Sequence, residues 1–190
     1  MDDLIGGRLI SYFINDLPEL HNYLMNFQRF YIKEVTIHDT GNFMLARPIL
    51  KSAKILDKEP ECILDTLDSG ETRVMFDSQC ESKHNHIEDH VIPYQVRINT
   101  NGYVGIHMTI KPIALDDYWQ KDPGLFEKFE LQLRSLIHEA WAEIQHELIY
   151  KGERMPEDVK MAKANNLGDI STILHACETS LHRAARESKQ

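Results

Sequence analysis

The N-terminal part of the chain combines one apolar segment with one segment of helical periodicity. Residues 4–13 read LIGGRLISYF, an apolar run with a glycine pair that predicts a buried strand. Asp16, Pro18 and Glu19 then supply a helix N-cap, a first-turn proline and a glutamate three residues after the cap. The apolar residues at helical spacing are Leu17, Leu20, Leu24 and Phe27. The pattern predicts a strand followed by a helix of about three turns.

The pattern is weaker between residues 31 and 90, where charged residues, glycine and proline interrupt the apolar positions. Short strands are predicted at residues 31–37, around Ile63 and at residues 72–76. We interpret residues 34–93 as an insertion in a single domain that spans residues 1–190.

Two segments with clear alternation follow, at residues 94–99 and 104–110, and they flank the pair Asn101-Gly102. An Asn-Gly pair between alternating segments favours a β-hairpin, so we expect the two strands to pair with each other. The apolar side of the second strand consists of Val104, Ile106, Met108 and Ile110. Its other side consists of Tyr103, Gly105, His107 and Thr109.

Residues 128–134 form a third alternating segment with one apolar and one ionic side. The apolar side consists of Phe129, Leu131 and Leu133, and the ionic side of Lys128, Glu130, Gln132 and Arg134. The ionic side is either a solvated outer face or the floor of a site for a polar ligand. Gly105 similarly marks either a bulge beside a surface tyrosine or a space between Tyr103 and His107 that suits a flat ring.

The C-terminal part is predicted to be helical. Ser135 can cap a helix whose apolar side consists of Ile137, Trp141, Ile144 and Leu148. Residues 152–190 are predicted to form two further helices, one after Pro156 and one from Asp169. The apolar side of the last helix consists of Ile170, Ile173, Leu174, Cys177 and Leu181.

Composition narrows the class of protein. The chain has 190 residues, of which 42% are hydrophobic, as expected for one globular domain. A net charge of −9 argues against a protein that binds DNA by bulk electrostatics, so a phosphate-rich ligand would need a local basic pocket. We expect a cytoplasmic protein without a membrane segment, because no apolar run approaches the roughly 18 residues of a membrane span and the chain opens with Met1-Asp2-Asp3. Its three cysteines are expected to be reduced.

Four short motifs occur in order along the chain. They are Asp3-Leu-Ile-Gly-Gly-Arg8, Asn101-Gly-Tyr103-Val-Gly-Ile-His107, Glu130-Leu-Gln132-Leu-Arg134-Ser and Trp141-Ala-Glu-Ile-Gln-His146. Together they resemble the synthetase domain of RelA/SpoT alarmone synthetases, with patterns D-hydrophobic-x-G-x-R, N-G-Y-R-S-L-H, E-V-Q-I-R-T and W-A-E-hydrophobic-x-H. The resemblance covers residues 2–30 and 94–182.

The resemblance implies a nucleotidyltransferase-like α/β (α+β) fold, a mixed sheet of about five strands surrounded by helices. It also implies transfer of pyrophosphate from ATP to the 3′-hydroxyl of GDP or GTP, with release of AMP. Asp3 and Glu130 match the catalytic carboxylates that hold Mg²⁺, and Glu130 also matches the group that activates or positions the acceptor hydroxyl. Tyr103 matches the tyrosine that stacks on guanine, and Arg8 the arginine that packs against adenine. The positions that line the acceptor and phosphates are His107, Gln132 and Arg134.

The chain also departs from the family patterns. The basic R-x-K-x-x-S loop that precedes the first motif in the family is missing, and Val104 replaces the arginine that follows the motif tyrosine. The basic residue usually found before that motif is represented at best by Arg97. Three hypotheses follow: an active pyrophosphokinase whose loop lies in upstream sequence, a degenerate nucleotide-binding or regulatory module, or a toxin-branch synthetase that acts on other nucleotides or tRNA. A homo-oligomer is an open alternative to a monomer.

Overall fold

The structure is a computed structural model that describes residues 5–27, 30–40, 43–53, 63–66, 72–78, 92–99, 101–112, 129–150 and 157–188. These residues form one mixed sheet of seven strands, in the order β1-β7-β6-β2-β5-β4-β3. The strands are β1 (Ile5–Ser11), β2 (Phe30–Asp39), β3 (Ile63–Thr66), β4 (Thr72–Ser78), β5 (Ile92–Ile98), β6 (Gly105–Pro112) and β7 (Phe129–Ser135). The pairs β1/β7 and β2/β5 are parallel, and the other pairs are antiparallel.

The helices are α1 (Leu17–Met25), α2 (Ala46–Ser52), α3 (Leu136–Gln145) and α4 (Glu157–Glu187). A 3₁₀ turn at Ile14–Asp16 leads into α1, and α3 continues into a π-helical turn at His146–Tyr150. Within the described residues, no helix is both long enough and apolar enough to cross a membrane.

The predicted fold class, an α+β fold built on a mixed sheet, is confirmed. The described sheet has seven strands rather than about five, because β3 and β4 extend it beyond β5. Both strands were expected from the sequence and lie in the range 34–93. That range also contributes most of β2, which lies between β6 and β5, so residues 34–39 belong to the sheet itself. The interpretation of the range as an insertion stays a prediction.

The predicted hairpin between residues 94–99 and 104–110 is wrong, although both strands exist. β5 and β6 do not pair, because β2 lies between them, parallel to β5 and antiparallel to β6. The Asn-Gly signal therefore describes the local turn and not the pairing of the strands beside it.

The prediction of a buried first strand is also wrong. β1 is the end strand of the described sheet and pairs with β7. Two of its large apolar side chains are exposed, Leu9 with 38% and Ile10 with 50% of the surface accessible. A strand at the end of a sheet has a partner on one side only, so an apolar sequence does not guarantee burial.

The core lies on one face of the sheet, against α1 and α2. It joins Leu17 and Ile49 from the two helices to alternate strand residues such as Val35, Ile106 and Leu133. The α1 prediction is confirmed, with Pro18 in its first turn, although the Asp16 side chain makes no capping hydrogen bond. The alternation predicted for β6 is confirmed as well: Ile106, Met108 and Ile110 are buried.

The helix after β7 is confirmed, and its cap forms as predicted, with the Ser135 side chain accepting from the His138 backbone N–H. Its buried side differs from the predicted apolar stripe. Trp141 is buried, but the other buried residues are His138 and Gln145, while Ile144 is exposed.

The two helices predicted after Pro156 are one continuous helix, α4, which passes through Asp169 without a break. Its predicted apolar side faces outward: the exposed residues are Ile170, Ile173, Cys177 and Leu181. The residues that it buries include Ser171 and Glu178, which bond to other elements. Polar contacts therefore fix the rotation of α4 on the domain, and helical periodicity alone could not reveal them.

Candidate active site

The second face of the sheet carries a group of polar side chains, here called the polar face. It comprises His38 on β2, Tyr103 just before β6, His107 on β6, and Glu130, Gln132 and Arg134 on β7. β2, β6 and β7 are neighbours, and their register places Thr36 opposite His107 and His107 opposite Gln132. Because side chains alternate along strands, the residues between them face the core. The predicted site residues Tyr103, His107, Glu130, Gln132 and Arg134 thus lie together.

A chain of hydrogen bonds connects these residues. The Tyr103 hydroxyl lies 2.7 Å from His107 Nε2, and His107 Nδ1 lies 3.4 Å from Glu130 Oε1. With Nδ1–H directed at the carboxylate, Nε2 accepts from the tyrosine. Gln132 Nε2 donates to the same carboxylate oxygen, and Arg134 donates to Gln132 Oε1 at 2.6 Å. The network holds Glu130 in one orientation.

The ionisation states on this face follow from burial and from these bonds. The His107 hydrogen bond lowers the pKa of Glu130 to about 2, against the opposing effect of burial. Burial raises the pKa of Tyr103 to about 12. At neutral pH, Glu130 is therefore an anion and Tyr103 a hydrogen-bond donor. A carboxylate with so low a pKa suits a hard cation, or the positioning of a hydroxyl, better than proton abstraction near pH 7.

His38 is a member of the site that the sequence interpretation missed. Its ring lies 4.5 Å from His107 and 5.0 Å from Tyr103, centroid to centroid. Burial is the main cause that lowers the pKa of His38 to about 3, so the ring is neutral at pH 7. Asn99 Nδ2 donates to Nδ1 at 3.1 Å, which places the ring proton on Nε2. The signal in the sequence was that His38 follows the apolar Ile37 on a predicted strand and therefore points to the opposite face. No site residue is predicted from the sequence in this region.

The open space predicted above Gly105 is filled. A side chain there would meet the Leu133 carbonyl at 3.2 Å and Arg134 Cγ at 3.4 Å. The Arg134 guanidinium carbon lies 5.0 Å from the centroid of the Tyr103 ring. Gly105 therefore lets Arg134 and the tyrosine pack together, and Arg134 must move before a base can stack on the ring surface that it covers.

Arg8 lies at the margin of the polar face, where β1 places it opposite Gln132. Its guanidinium is half exposed and donates to Glu139 and Glu143 of α3. The other oxygen of Glu139 accepts from Arg134 at 2.8 Å. The sequence did not indicate Glu139, because it meets Arg8 only when α3 packs beside β1. Both predicted arginines are thus neutralised by carboxylates.

Arg97 is a third arginine near the site, opposite His38 in the register of β2 and β5. Its Nε donates to Gln95 at 3.0 Å. Among the residues that the structure describes, it forms no ion pair.

The fit to Mg²⁺ depends on Glu130. Asp3, the other predicted metal ligand, lies outside the described residues. No cluster of three or more His, Cys, Asp or Glu side chains that could hold a metal occurs in the described part of the chain. Magnesium at phosphoryl-transfer sites often takes one or two carboxylates together with substrate phosphates and water. An ionised, partly exposed Glu130 fits that demand.

Solved structures with a similar fold are small alarmone synthetases and their relatives. A GTP pyrophosphokinase family protein from Streptococcus pneumoniae matches with a TM-score of 0.51 and 17% identity, over 98% of this chain and 64% of that one. Small alarmone synthetase 2 from Bacillus subtilis matches with a TM-score of 0.51 and 16% identity, over 98% and 68% of the two chains. Small alarmone synthetase 1 from the same organism matches with a TM-score of 0.49 and 17% identity, over 96% and 63%.

No family model matches the sequence, and no curated protein does. The chain spans 64% of the S. pneumoniae protein and 63% of small alarmone synthetase 1, which is less than two thirds of the length of each. At such identities the similarity establishes the fold. The chain has an α+β fold like that of the small alarmone synthetases.

Proposed function

We propose that the chain is a guanosine tetra- or pentaphosphate synthetase, which transfers pyrophosphate from ATP to the 3′-hydroxyl of GDP or GTP. The observation that carries the proposal is the ionised Glu130, held by His107 and Gln132 beside Tyr103 on the polar face. The synthetase-like fold and the four motifs support the same reaction. The proposed setting is the cytoplasm, with small-molecule substrates rather than DNA.

In the proposed reaction, the 3′-hydroxyl oxygen forms a bond to the β-phosphorus of ATP, and the bond from that phosphorus to the α,β-bridging oxygen breaks. AMP leaves with that oxygen, and the hydroxyl proton passes to solvent. Glu130 orients the acceptor by accepting a hydrogen bond from the 3′-hydroxyl, and Tyr103 holds the guanine once Arg134 has moved. Mg²⁺, bound by Glu130 and Asp3, would neutralise charge on the transferred group.

Phosphate binding is assigned to the arginines of the polar face. Arg97 has no carboxylate partner among the described residues and is the first candidate. Arg134 becomes available when a phosphate displaces it from Glu139, which exchanges one charge-assisted contact for another. Arg8 keeps its proposed place against the adenine of ATP.

A second candidate is a nucleotide-binding module without transferase activity. The pairing of both Arg8 and Arg134 with Glu139 favours it, because fewer cations then remain for the phosphates of two nucleotides. Such a module would bind GDP or GTP through Tyr103 but would not bind ATP productively.

Nucleotide chromatography tests both candidates. The purified protein is incubated with ATP, Mg²⁺ and either GDP or GTP, and we expect AMP together with a more highly phosphorylated guanosine product. Glu130→Gln should lower the rate about 100-fold or more. Glu34→Gln is the matched control, since it removes an exposed glutamate that bonds Thr109 on the neighbouring strand. GDP binding without product would favour the binding module, and no binding of either nucleotide would overturn both.

A further inference from the structure

The turn that carries Tyr103 is held by side chains from outside the sheet. Three consecutive backbone carbonyls in it each accept a hydrogen bond from a side chain, and two of these donors belong to helices. Gln145 of α3 donates to the Asn101 carbonyl, Ser171 of α4 donates to the Gly102 carbonyl at 2.5 Å, and Asn99 donates to the Tyr103 carbonyl at 3.0 Å. Tyr103 precedes β6, so strand pairing alone does not fix its position.

Helix α4 also packs directly on this turn. Gly102 has a φ of +76°, and a Cβ atom there would lie 2.2 Å from Ser171 Cβ. Ser171 is 2% exposed and Gln145 is 4% exposed, so both donors act away from water. A buried carbonyl that loses its donor stays unpaired, which makes these two contacts costly to break.

The helix is fastened at a second point by polar groups. Glu178, one of the fully buried residues, accepts from the Ile14 backbone N–H at 2.5 Å and lies 3.0 Å from His138 Nδ1. The register of α4 is thus fixed between Ser171 and Glu178. Of these two contacts, the hydrogen bond from Ser171 to Gly102 lies beside the polar face, because Gly102 precedes Tyr103.

We propose that Ser171 and Gln145 are positioning residues for Tyr103, and that α4 is thereby part of the guanine-binding site. The inference rests on the proposed function, since it assigns the clamp to the residue that would stack on guanine. Loss of either donor lets the turn shift, and the Tyr103 ring moves with it. Binding of GDP should weaken, whereas binding of ATP, which is assigned to Arg8 at the other margin, should not change.

The experiment compares GDP and ATP titrations of the full chain by calorimetry. Ser171→Ala and Gln145→Ala should each weaken GDP binding about 5- to 10-fold, the order expected for one lost hydrogen bond, and leave ATP binding within twofold. Ser180→Ala is the matched control, because it removes a hydroxyl of the same helix that, among the described residues, bonds only the Ala176 carbonyl in its own turn. If one variant fails to fold, the other tests the same clamp.

The outcomes separate the clamp from the proposed function. Weaker GDP binding in Tyr103→Ala with unchanged binding in both clamp variants would overturn the inference and leave guanine stacking intact. Equal losses for GDP and ATP would also overturn it, because they would indicate a general loss of structure. GDP binding that is unchanged in Tyr103→Ala would overturn guanine stacking and the clamp together.

Discussion

At the scale of single residues, the packing around Tyr103 bears directly on the proposed stacking. The ring has Arg134 over it and bonds His107 through its hydroxyl. Tyr103→Ala should weaken GDP binding by about 1 to 3 kcal/mol, the range for stacking of a base on an aromatic side chain. Tyr103→Phe keeps the ring and should retain most of the affinity. A titration in which both variants match the parent would rule out stacking at this position.

The low pKa of Glu130 gives a second prediction at this scale. The hydrogen bond from His107 lowers this pKa the most. The hydrogen bond from Gln132 lowers it by less than burial raises it. His107→Ala should therefore raise the pKa of Glu130 from about 2 towards its ordinary value, and Gln132→Ala should raise it less. A carboxyl-detected NMR titration measures both. A larger change in Gln132→Ala would contradict the assignment.

Much of the polar face could be predicted at this scale, because alternation along a strand depends only on local sequence. It placed Glu130, Gln132 and Arg134 on one side of β7, and the structure does the same. Glu139 could not be predicted, since it meets Arg8 only through the packing of α3, 131 positions further along the chain. Contacts between elements are decided by tertiary packing, which single-residue patterns do not encode.

At the scale of elements, local signals located the Asn-Gly turn and the helical segments, but not their partners or the continuity of α4 through Asp169. Gly102 has the positive φ that an Asn-Gly turn requires, yet the strands on either side of it are separated by β2. Helical periodicity found α4, but its apolar stripe at Ile170 and Ile173 faces outward. The Ser171 hydroxyl donates a hydrogen bond and the Glu178 carboxylate accepts one, and these bonds orient the helix. Hydrophobic patterning carries no information about them.

The junction between β2 and α2 gives a prediction at this scale. Asp39 is buried, and its Oδ2 accepts from the backbone N–H groups of Leu45 and Ala46 at 2.8 and 2.7 Å. Asp39→Ala leaves these donors unpaired and should lower the free energy of unfolding by about 2 kcal/mol or more. Urea denaturation measures this change in the free energy of unfolding. Ser52→Ala, at the exposed end of α2, is the control and should stay within about 0.5 kcal/mol. Equal effects would argue against a stabilising role of the two hydrogen bonds to Asp39.

At the scale of the whole molecule, the buried histidines couple folding to pH. His21 is 1% exposed, packs against Tyr94, and has its pKa lowered by burial to about 4. Its pKa in the unfolded chain is near 6.5, so between pH 6.5 and about 4 the unfolded chain binds a proton that the folded chain does not. The stability contributed by neutral His21 is therefore complete above pH 6.5 and is lost as the pH falls through this window, and His38, whose pKa burial lowers to about 3, acts in the same direction. Glu130 acts in a lower window, since its lowered pKa contributes stability that is lost between pH 4.5 and about 2.

The two windows make the histidine contribution measurable. Urea denaturation of the parent chain at pH 7.5, 6, 5 and 4.5 should show a loss of stability attributable to His21 of the order of 3 kcal/mol over the whole window down to about pH 4. His21→Gln removes this titration, so the variant should lose less stability per pH unit below 6.5 than the parent. Above pH 7 the free energies of unfolding of the parent and the variant should differ by a constant amount, since His21 binds no proton there in either the folded or the unfolded chain. Parallel curves from pH 7.5 to 4.5 would show that burial of His21 does not control acid stability.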